Sequence, residues 1–356
     1  MSAGETSAFS DPAMRSACAS ALADVAPNAQ ITSNRSDPAA TIDLHWSLAV
    51  ELGWTAVLVP ESAGGLGLDL SHAADICEEM GRHLYCGPFA ETAVLVPALA
   101  RAVGGRFLDM QAELASGRSR IGYCEAAPHW DGTRVVAQPV EFAVGATHVL
   151  LLDCKSDGTL HVINAACCAR DILPLQALDP TAPIGRLSME GMGATERHVL
   201  RPEVAERAVA PFHVAVAADL LGVGEAALAR AVEYAKSRRQ FGGPIGGFQA
   251  IKHRLADCRT ALTGARLAIA RAAQQDAEPG EARLARILAA DAALGTTAAA
   301  LRTLGGSGFS WEVDLHLYFK RARRLAARTG GTVMLRRQAT DAFVDNVAMH
   351  AVTTSP

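Results

Sequence analysis

A glycine- and proline-rich corner between two long helical stretches constrains this chain most. In Tyr234 to His253, YAKSRRQFGGPIGGFQAIKH, a basic helix end meets a Gly/Pro turn and then a new amphipathic helix. Beyond the corner, Ile251, Leu255, Cys258, Leu262, Ala265 and Ile269 follow a 4-3-4-3-4 spacing, while Lys252, Arg254, Asp257 and Arg259 lie off that stripe. That is the apolar face of one helix. A second periodic segment runs from Leu284 through Leu288, Leu294 and Leu301, and Pro279-Gly280 marks a connection before it. With Phe212 to Ala235 and the final helix, these predict an alanine-rich four-helix bundle from about Ala208 onward.

Two other regions precede the bundle. From Asp43 to Gly104 apolar residues recur at helical spacing, broken by Pro60 and by Ala63-Gly64-Gly65-Leu66-Gly67. The run GWTAVLVPESAGGLGLDL reads as a helix end, a short extended piece and a glycine-rich loop. Asp69 or Ser71 is placed to cap the next helix, on which Glu78 and Glu79 read as solvated carboxylates. Between about Ser119 and Val204 the pattern turns strand-like. Phe142 to Asp153 and Leu160 to Asn164 are short apolar runs, with Asp157-Gly158 as a hairpin turn between them. The expected fold class is α+β and multidomain: helical over 1–117, a small β-domain over 118–205, and a helical bundle over 206–356.

At 356 residues, half of them hydrophobic, the chain can bury a large core. Its 33 Lys+Arg against 37 Asp+Glu give a formal charge of −4, which argues against a globally basic nucleic-acid binder. The eight cysteines include no CxxC pair, and metal binding is not expected; they read as reduced core fillers. The first thirty residues lack a basic stretch followed by an apolar one, and no later run is read as a membrane span. A cytoplasmic protein is the expectation.

Chemistry concentrates in two places. At the corner, Arg238, Gln240 and Phe241 set a cation, an amide and an aromatic ring side by side, a trio suited to a dinucleotide: a guanidinium forks onto pyrophosphate, and amide and ring meet polar and flat parts of the ligand. The second place is Arg302-Thr303-Leu304-Gly305-Gly306-Ser307-Gly308-Phe309-Ser310-Trp311-Glu312. Its glycines either end a helix or let backbone N–H groups approach a phosphate or adenine.

Over these twenty residues the corner resembles the central signature of the acyl-CoA dehydrogenases. In that family the arginine, the next residue but one and the phenylalanine reach across a subunit interface to FAD held mainly by a neighbour. The second stretch resembles the family's Gln-x-x-Gly-Gly-x-Gly element, which binds the ADP half of FAD across the same interface; Arg302 replaces the usual glutamine. Trp46 to Leu68 and Glu78 to Thr92 resemble the family's helical N-terminal domain. The resemblance therefore implies FAD contacts from Arg238, Gln240, Phe241, Arg302, Gly305 and Gly306.

Two family features are missing. The flavin-ring loop, Thr-Glu-Pro-Gly-Ala-Gly-Ser-Asp-like in the family, is replaced by Tyr123-Cys124-Glu125-Ala126-Ala127-Pro128-His129-Trp130-Asp131, without glycines. The family removes the α-proton of a thioester with a glutamate while the β-hydride passes to flavin, and its two alternative base positions fall here on Thr329 and Phe212. Neither is a carboxylate. Retained contacts to a neighbour's flavin without a base of its own resemble the non-catalytic subunit of the heteromeric α2β2 acyl-CoA dehydrogenases of bacterial steroid side-chain degradation. A homologous subunit, an acyl-CoA substrate and an electron-transfer flavoprotein-like acceptor are then the implied partners. Two alternatives stay open: a self-sufficient homomeric dehydrogenase with a displaced base, His213 or Asp219, and a flavin-free scaffold or acyl-CoA-binding protein on the same fold.

Overall fold

The structure, a computed structural model, describes residues 9–25, 39–125, 129–130, 134–152, 159–190, 195–274 and 278–353. Among the described residues five helices come first: α1 (Pro12–Asp24), α2 (Ala39–Glu51), α3 (Leu70–Arg82), α4 (Val96–Val103) and α5 (Arg106–Ala115). Asp69 caps α3 as expected, its carboxylate accepting the Ser71 and His72 N–H groups. The expected extended piece before it is a pair of 3-10 turns, Trp54–Ala56 and Glu61–Ala63.

Eight strands follow: β1 (Ile121–Cys124), β2 (His129–Trp130), β3 (Arg134–Glu141), β4 (His148–Leu152), β5 (Thr159–Asn164), β6 (Ile172–Leu175), β7 (Ile184–Glu190) and β8 (Thr195–Val199). They form one mixed sheet of order β6-β7-β3-β1-β4-β5-β8, with β2 on β3. Only β1 and β4 run parallel; the other paired strands are antiparallel, including the β4–β5 pair. The Asp157-Gly158 turn lies outside the described residues. Val135, Val140, Val149, Leu151, Ile163 and Leu187 bury one sheet core of their own.

The remainder is helical: α6 (Pro202–Ser237), α7 (Gln249–Ala273), α8 (Pro279–Leu304), α9 (Leu315–Ala327) and α10 (Gly331–Thr353). Helix α6 starts at Pro202, which suits the first helical turn, and so begins ahead of the expected onset near Ala208. It is the axis of the molecule, packing on α3, α7, α8 and α9. A Cβ on Gly222 would lie 1.9 Å from the Glu78 carbonyl oxygen, and one on Gly81 would lie 2.2 Å from that of Asp219. At this crossing α3 and α6 meet backbone to backbone, which only glycine permits.

Two sequence expectations need correction, and two features of α6 and α8 go beyond the sequence reading. Glu78 and Glu79 are buried rather than solvated: Arg15 and Arg266 each reach Glu78 at 2.5 Å and Arg82 reaches it at 2.7 Å, while Arg15 Nε donates to Glu79 at 2.8 Å. Burial opposes the Glu78 charge, but Arg266, Arg82 and Arg15 outweigh it and hold the carboxyl below its usual range. In α8 the core face is mostly alanine; Leu301 is buried and Leu294 packs against the core as expected, but Leu284 and Leu288 face solvent. His213 lies well inside α6 and is buried. Finally, α6 and α8 are long and apolar enough to cross a membrane by length and composition, yet 89% and 67% of their apolar windows are buried within the protein. The alanine content that lets helices pack closely also raises hydropathy. The six described free cysteines are all buried, as expected.

Candidate functional site

The corner is an exposed two-residue hairpin. The Arg238 N–H closes α6 on the Tyr234 carbonyl (2.8 Å), and the Arg238 carbonyl accepts from the Ile245 N–H (2.8 Å). Arg239–Gln240 then pairs with Gly243–Pro244, leaving Phe241 (φ 51°) and Gly242 (φ 85°) as the tip. Positive φ at both tip positions is the geometry that matches strand twist, and it normally recruits Asn or Gly at the first. A phenylalanine there costs about 1–2 kcal/mol. Its ring is 92% exposed, with one edge-on contact to Phe248 at 6.1 Å. A strained, exposed aromatic residue gains little within this chain, and strain of that kind clusters at functional sites.

The glycine segment forms a 3-10 turn, Gly305–Phe309, where α8 ends. Gly305 (φ 63°) and Gly306 have no atom within 4 Å of an added Cβ, so their backbone is open to a ligand. Arg238, Gln240, Arg302, Gly305 and Gly306 are all exposed. Among the described residues, Arg238, Arg239 and Arg302 make no ion pair. Helices α6 and α8 run parallel, since Glu206 meets Arg283, His213 meets Arg286 and Gly224 lies against Ala293. Both motifs therefore leave the bundle at the same end. Beside the hairpin opens a cleft of about 380 Å³, floored by Val232, Ala235, Ile251 and Leu255 and flanked by Lys236 and Lys252.

The interior is closed by charge. One position expected for a base, Phe212, lies there: the Arg328 guanidinium stacks 4.8 Å from its ring, and Tyr123 meets that ring edge-on at 5.2 Å. The Thr329 side chain lies outside the described residues. Arg328 donates to Glu91 at 2.7 Å and lies 3.5 Å from Glu141. Arg324 bridges Glu141 (2.7 Å) and Asp179 (2.8 Å), and Arg321 holds Asp219 (2.6 Å). Burial disfavours the Arg328 charge, but Glu141 and Glu91 outweigh it and keep the guanidinium protonated. The cavity left between α3, the end of β3, α6 and α9 is about 20 Å³, room for roughly one water. These arginines were missed in the sequence; Arg321, Arg324 and Arg328 recur at one-face spacing, but the acids they meet are far away in the chain.

The displaced-base candidates are engaged as well. Arg286 Nη1 donates to His213 Nδ1 at 3.1 Å, which places the ring proton on Nε2. Burial, reinforced by Arg286, drives the His213 pKa well below its ordinary value, so the imidazole is neutral and its lone pair occupied. Burial also pushes Arg286 down to about 10. Glu225, a further buried acid of α6, is clamped by Arg259 at 2.7 Å. Glu125, at the end of β1, differs: its carboxylate oxygens are buried without a hydrogen bond, in the field of Arg286 and Arg328. Most of the replaced flavin-ring loop after it, residues 126–128 and Asp131, lies outside the described residues.

Comparison with known proteins agrees with this architecture. The model of the acyl-CoA dehydrogenase N-terminal domain matches residues 12–104 and that of the C-terminal domain matches residues 203–343. The acyl-CoA dehydrogenase IpdE2 of Mycobacterium tuberculosis is 35% identical over 280 residues, covering 78% of this chain and 79% of that protein. Among solved structures, a variant of the Tcur3481-Tcur3483 steroid ACAD superposes with a TM-score of 0.82 at 24% identity, covering 94% and 98% of the two chains. A chain of the ChsE4-ChsE5 complex from Mycobacterium tuberculosis gives 0.77 at 21% identity, covering 98% and 99%. The chain belongs to the acyl-CoA dehydrogenase family, whose cofactor is FAD. The outward surface offers groups chemically suited to such a dinucleotide: guanidinium groups without an ion pair among the described residues, open backbone and an exposed aromatic ring. The cavity described beside Arg321, Arg324 and Arg328 has no room for a three-ring flavin.

Proposed function

We propose that this chain is the non-catalytic subunit of a heteromeric acyl-CoA dehydrogenase and completes an FAD site on a homologous partner that supplies the catalytic glutamate. The observation that carries this reading is the arginine stack on Phe212, which fills with ion pairs the place where a base and substrate would meet. Arg238 and Arg302 would hold the diphosphate, Gly305 and Gly306 would bring backbone N–H groups to it, and Gln240 and Phe241 would cover the flat part of the ligand. FAD, when bound, accepts the hydride leaving the thioester β-carbon. The chain's part is binding and orientation, with a helical domain to about residue 117, a β-domain to about 205 and a bundle beyond. The likeness to a two-name complex supports an α2β2 assembly, and the likeness to a steroid ACAD supports a steroid-derived acyl-CoA substrate. An electron-transfer flavoprotein-like acceptor and a cytoplasmic setting complete the reading.

Coexpression with a homologous acyl-CoA dehydrogenase, followed by flavin absorbance and chain stoichiometry, tests it. The expected product is a yellow complex with fewer flavins than chains, and a colourless, inactive chain when expressed alone. A solitary chain that retains one FAD and oxidises acyl-CoA would refute the proposal.

A further inference from the structure

The segment after the open glycines carries aromatic surface that the reading above leaves unused. Phe309 is 66% exposed and Trp311 36% exposed, within a few residues of Gly306. The Trp311 ring is held from α9: His316 packs edge-on at a centroid distance of 4.3 Å, and Lys320 Nζ lies 5.1 Å from the ring centroid. Its loop is fixed by its own bonds, Val313 N–H to the Ser310 carbonyl (3.2 Å), Glu312 N–H to Ser310 Oγ (3.2 Å) and Leu317 N–H to the Asp314 carbonyl (2.9 Å). Asp314 adopts φ 57°, so it and Phe241 are two of the four described non-glycine residues with positive φ, one in the hairpin and one just after the glycine segment. Backbone strain thus accompanies both exposed aromatic groups.

In chain order, the surface offers an unpaired guanidinium (Arg302), two open backbone glycines (Gly305, Gly306) and then two exposed rings (Phe309, Trp311). A cation and N–H groups suit a diphosphate, whereas a fixed flat ring suits a nucleobase. We propose that Trp311, flanked by Phe309, is the platform on which the adenine of the partner-held dinucleotide stacks. This rests on the proposed cross-subunit flavin site and adds to it the residue that recognises the base. Clamping by His316 and Lys320 fixes the ring before the ligand arrives, which lowers the ordering cost of binding.

The test compares FAD with FMN, which lacks the AMP half and so the adenine, on the coexpressed complex stripped of flavin and reconstituted. Stacking of a base on an aromatic ring is worth on the order of tenfold in affinity. Trp311→Leu should weaken FAD by about that factor and leave FMN unchanged, while Trp311→Phe keeps FAD near wild type. Phe309→Leu, read independently, should lower the FAD-to-FMN affinity ratio in the same direction. Unchanged FAD affinity in Trp311→Leu overturns the platform, and so does equal weakening of both flavins, the signature of a subunit-packing contact. A wild-type complex that takes up no FAD overturns the cross-subunit site together with the platform, whereas FAD uptake that ignores Trp311 overturns the platform alone.

Discussion

Replacing Arg328 by methionine asks whether the interior is held shut by charge. The guanidinium donates to Glu91 at 2.7 Å, sits 3.5 Å from Glu141 and stacks 4.8 Å from the Phe212 ring. The side chains of Arg328 and Glu91 are 7% and 2% exposed, so the charge left on Glu91 has no water to turn to. Removing one partner of such a pair costs about 3–5 kcal/mol. Methionine fills most of the volume and regains roughly 0.3–1.5 kcal/mol against the aromatic ring. Arg328→Met should therefore destabilise by ~3–4 kcal/mol. Adding Glu91→Gln removes the stranded carboxylate, and Glu141 keeps its Arg324 partner, so the double variant should recover roughly 2 kcal/mol or more. Urea unfolding of the purified protein reads this as a midpoint that drops and then partly returns at constant slope. The reasoning fails if the two single effects simply add in the double variant, with a coupling below about 0.5 kcal/mol.

Stability should also fall on acidification between pH 6.5 and about 4, because burial, with Arg321 second, lowers His45 from 6.5 to about 4. The unfolded chain binds that proton first, so up to about 3 kcal/mol present above pH 6.5 is lost by pH 4. His45 Nδ1 accepts the Cys86 N–H at 2.7 Å; His45→Asn keeps an acceptor without the titration, and parallel pH profiles for the two proteins would contradict the assignment. Arg238→Ala should loosen FAD in the assembled complex by about tenfold or more, with Arg238→Lys restoring only part; undiminished flavin after gel filtration would exclude Arg238 as a ligand. Glu125→Gln and His213→Asn should leave turnover of the complex nearly intact, whereas removing the partner's glutamate should abolish it. A loss of ~10²–10⁴-fold from either substitution here, with FAD retained, would identify a base in this chain.

What the sequence made legible was local or periodic. The Asp69 cap, the buried half of the α7 stripe from Cys258 to Ile269 and the turn at Phe241 depend on neighbours within one or two helical turns. Glu78 and Glu79 read as surface carboxylates because nothing nearby in sequence announces Arg15, some sixty residues before, or Arg266, 188 residues after Glu78. Leu284 and Leu288 have core spacing, yet alanines on the adjacent face allow closer contact with α6 and take the core instead. His213 reads as a helix-start residue only if α6 begins near Ala208; the first turns from Pro202 carry it inside. The closed interior is hardest to foresee. Arg321, Arg324 and Arg328 share a helix face, but their acids come from α6, β3 and the segments around Glu91 and Asp179.

Under the proposed non-catalytic role, those three arginines also bear on how reversible such a specialisation would be. Each ties α9 to a different part of the molecule: Arg321 to α6, Arg324 to the sheet and Arg328 to the turn ahead of α4. A glutamate introduced at Phe212 would enter beside Arg328, whose positive charge is already matched by Glu91 and Glu141. It would add an unmatched charge and gain no space for substrate. Regaining a working centre would require withdrawing arginines and acids together, each step leaving a stranded charge until the next. On that reading a route back to autonomy would pass through destabilised variants, leaving the outward surface freer to change than the filled interior.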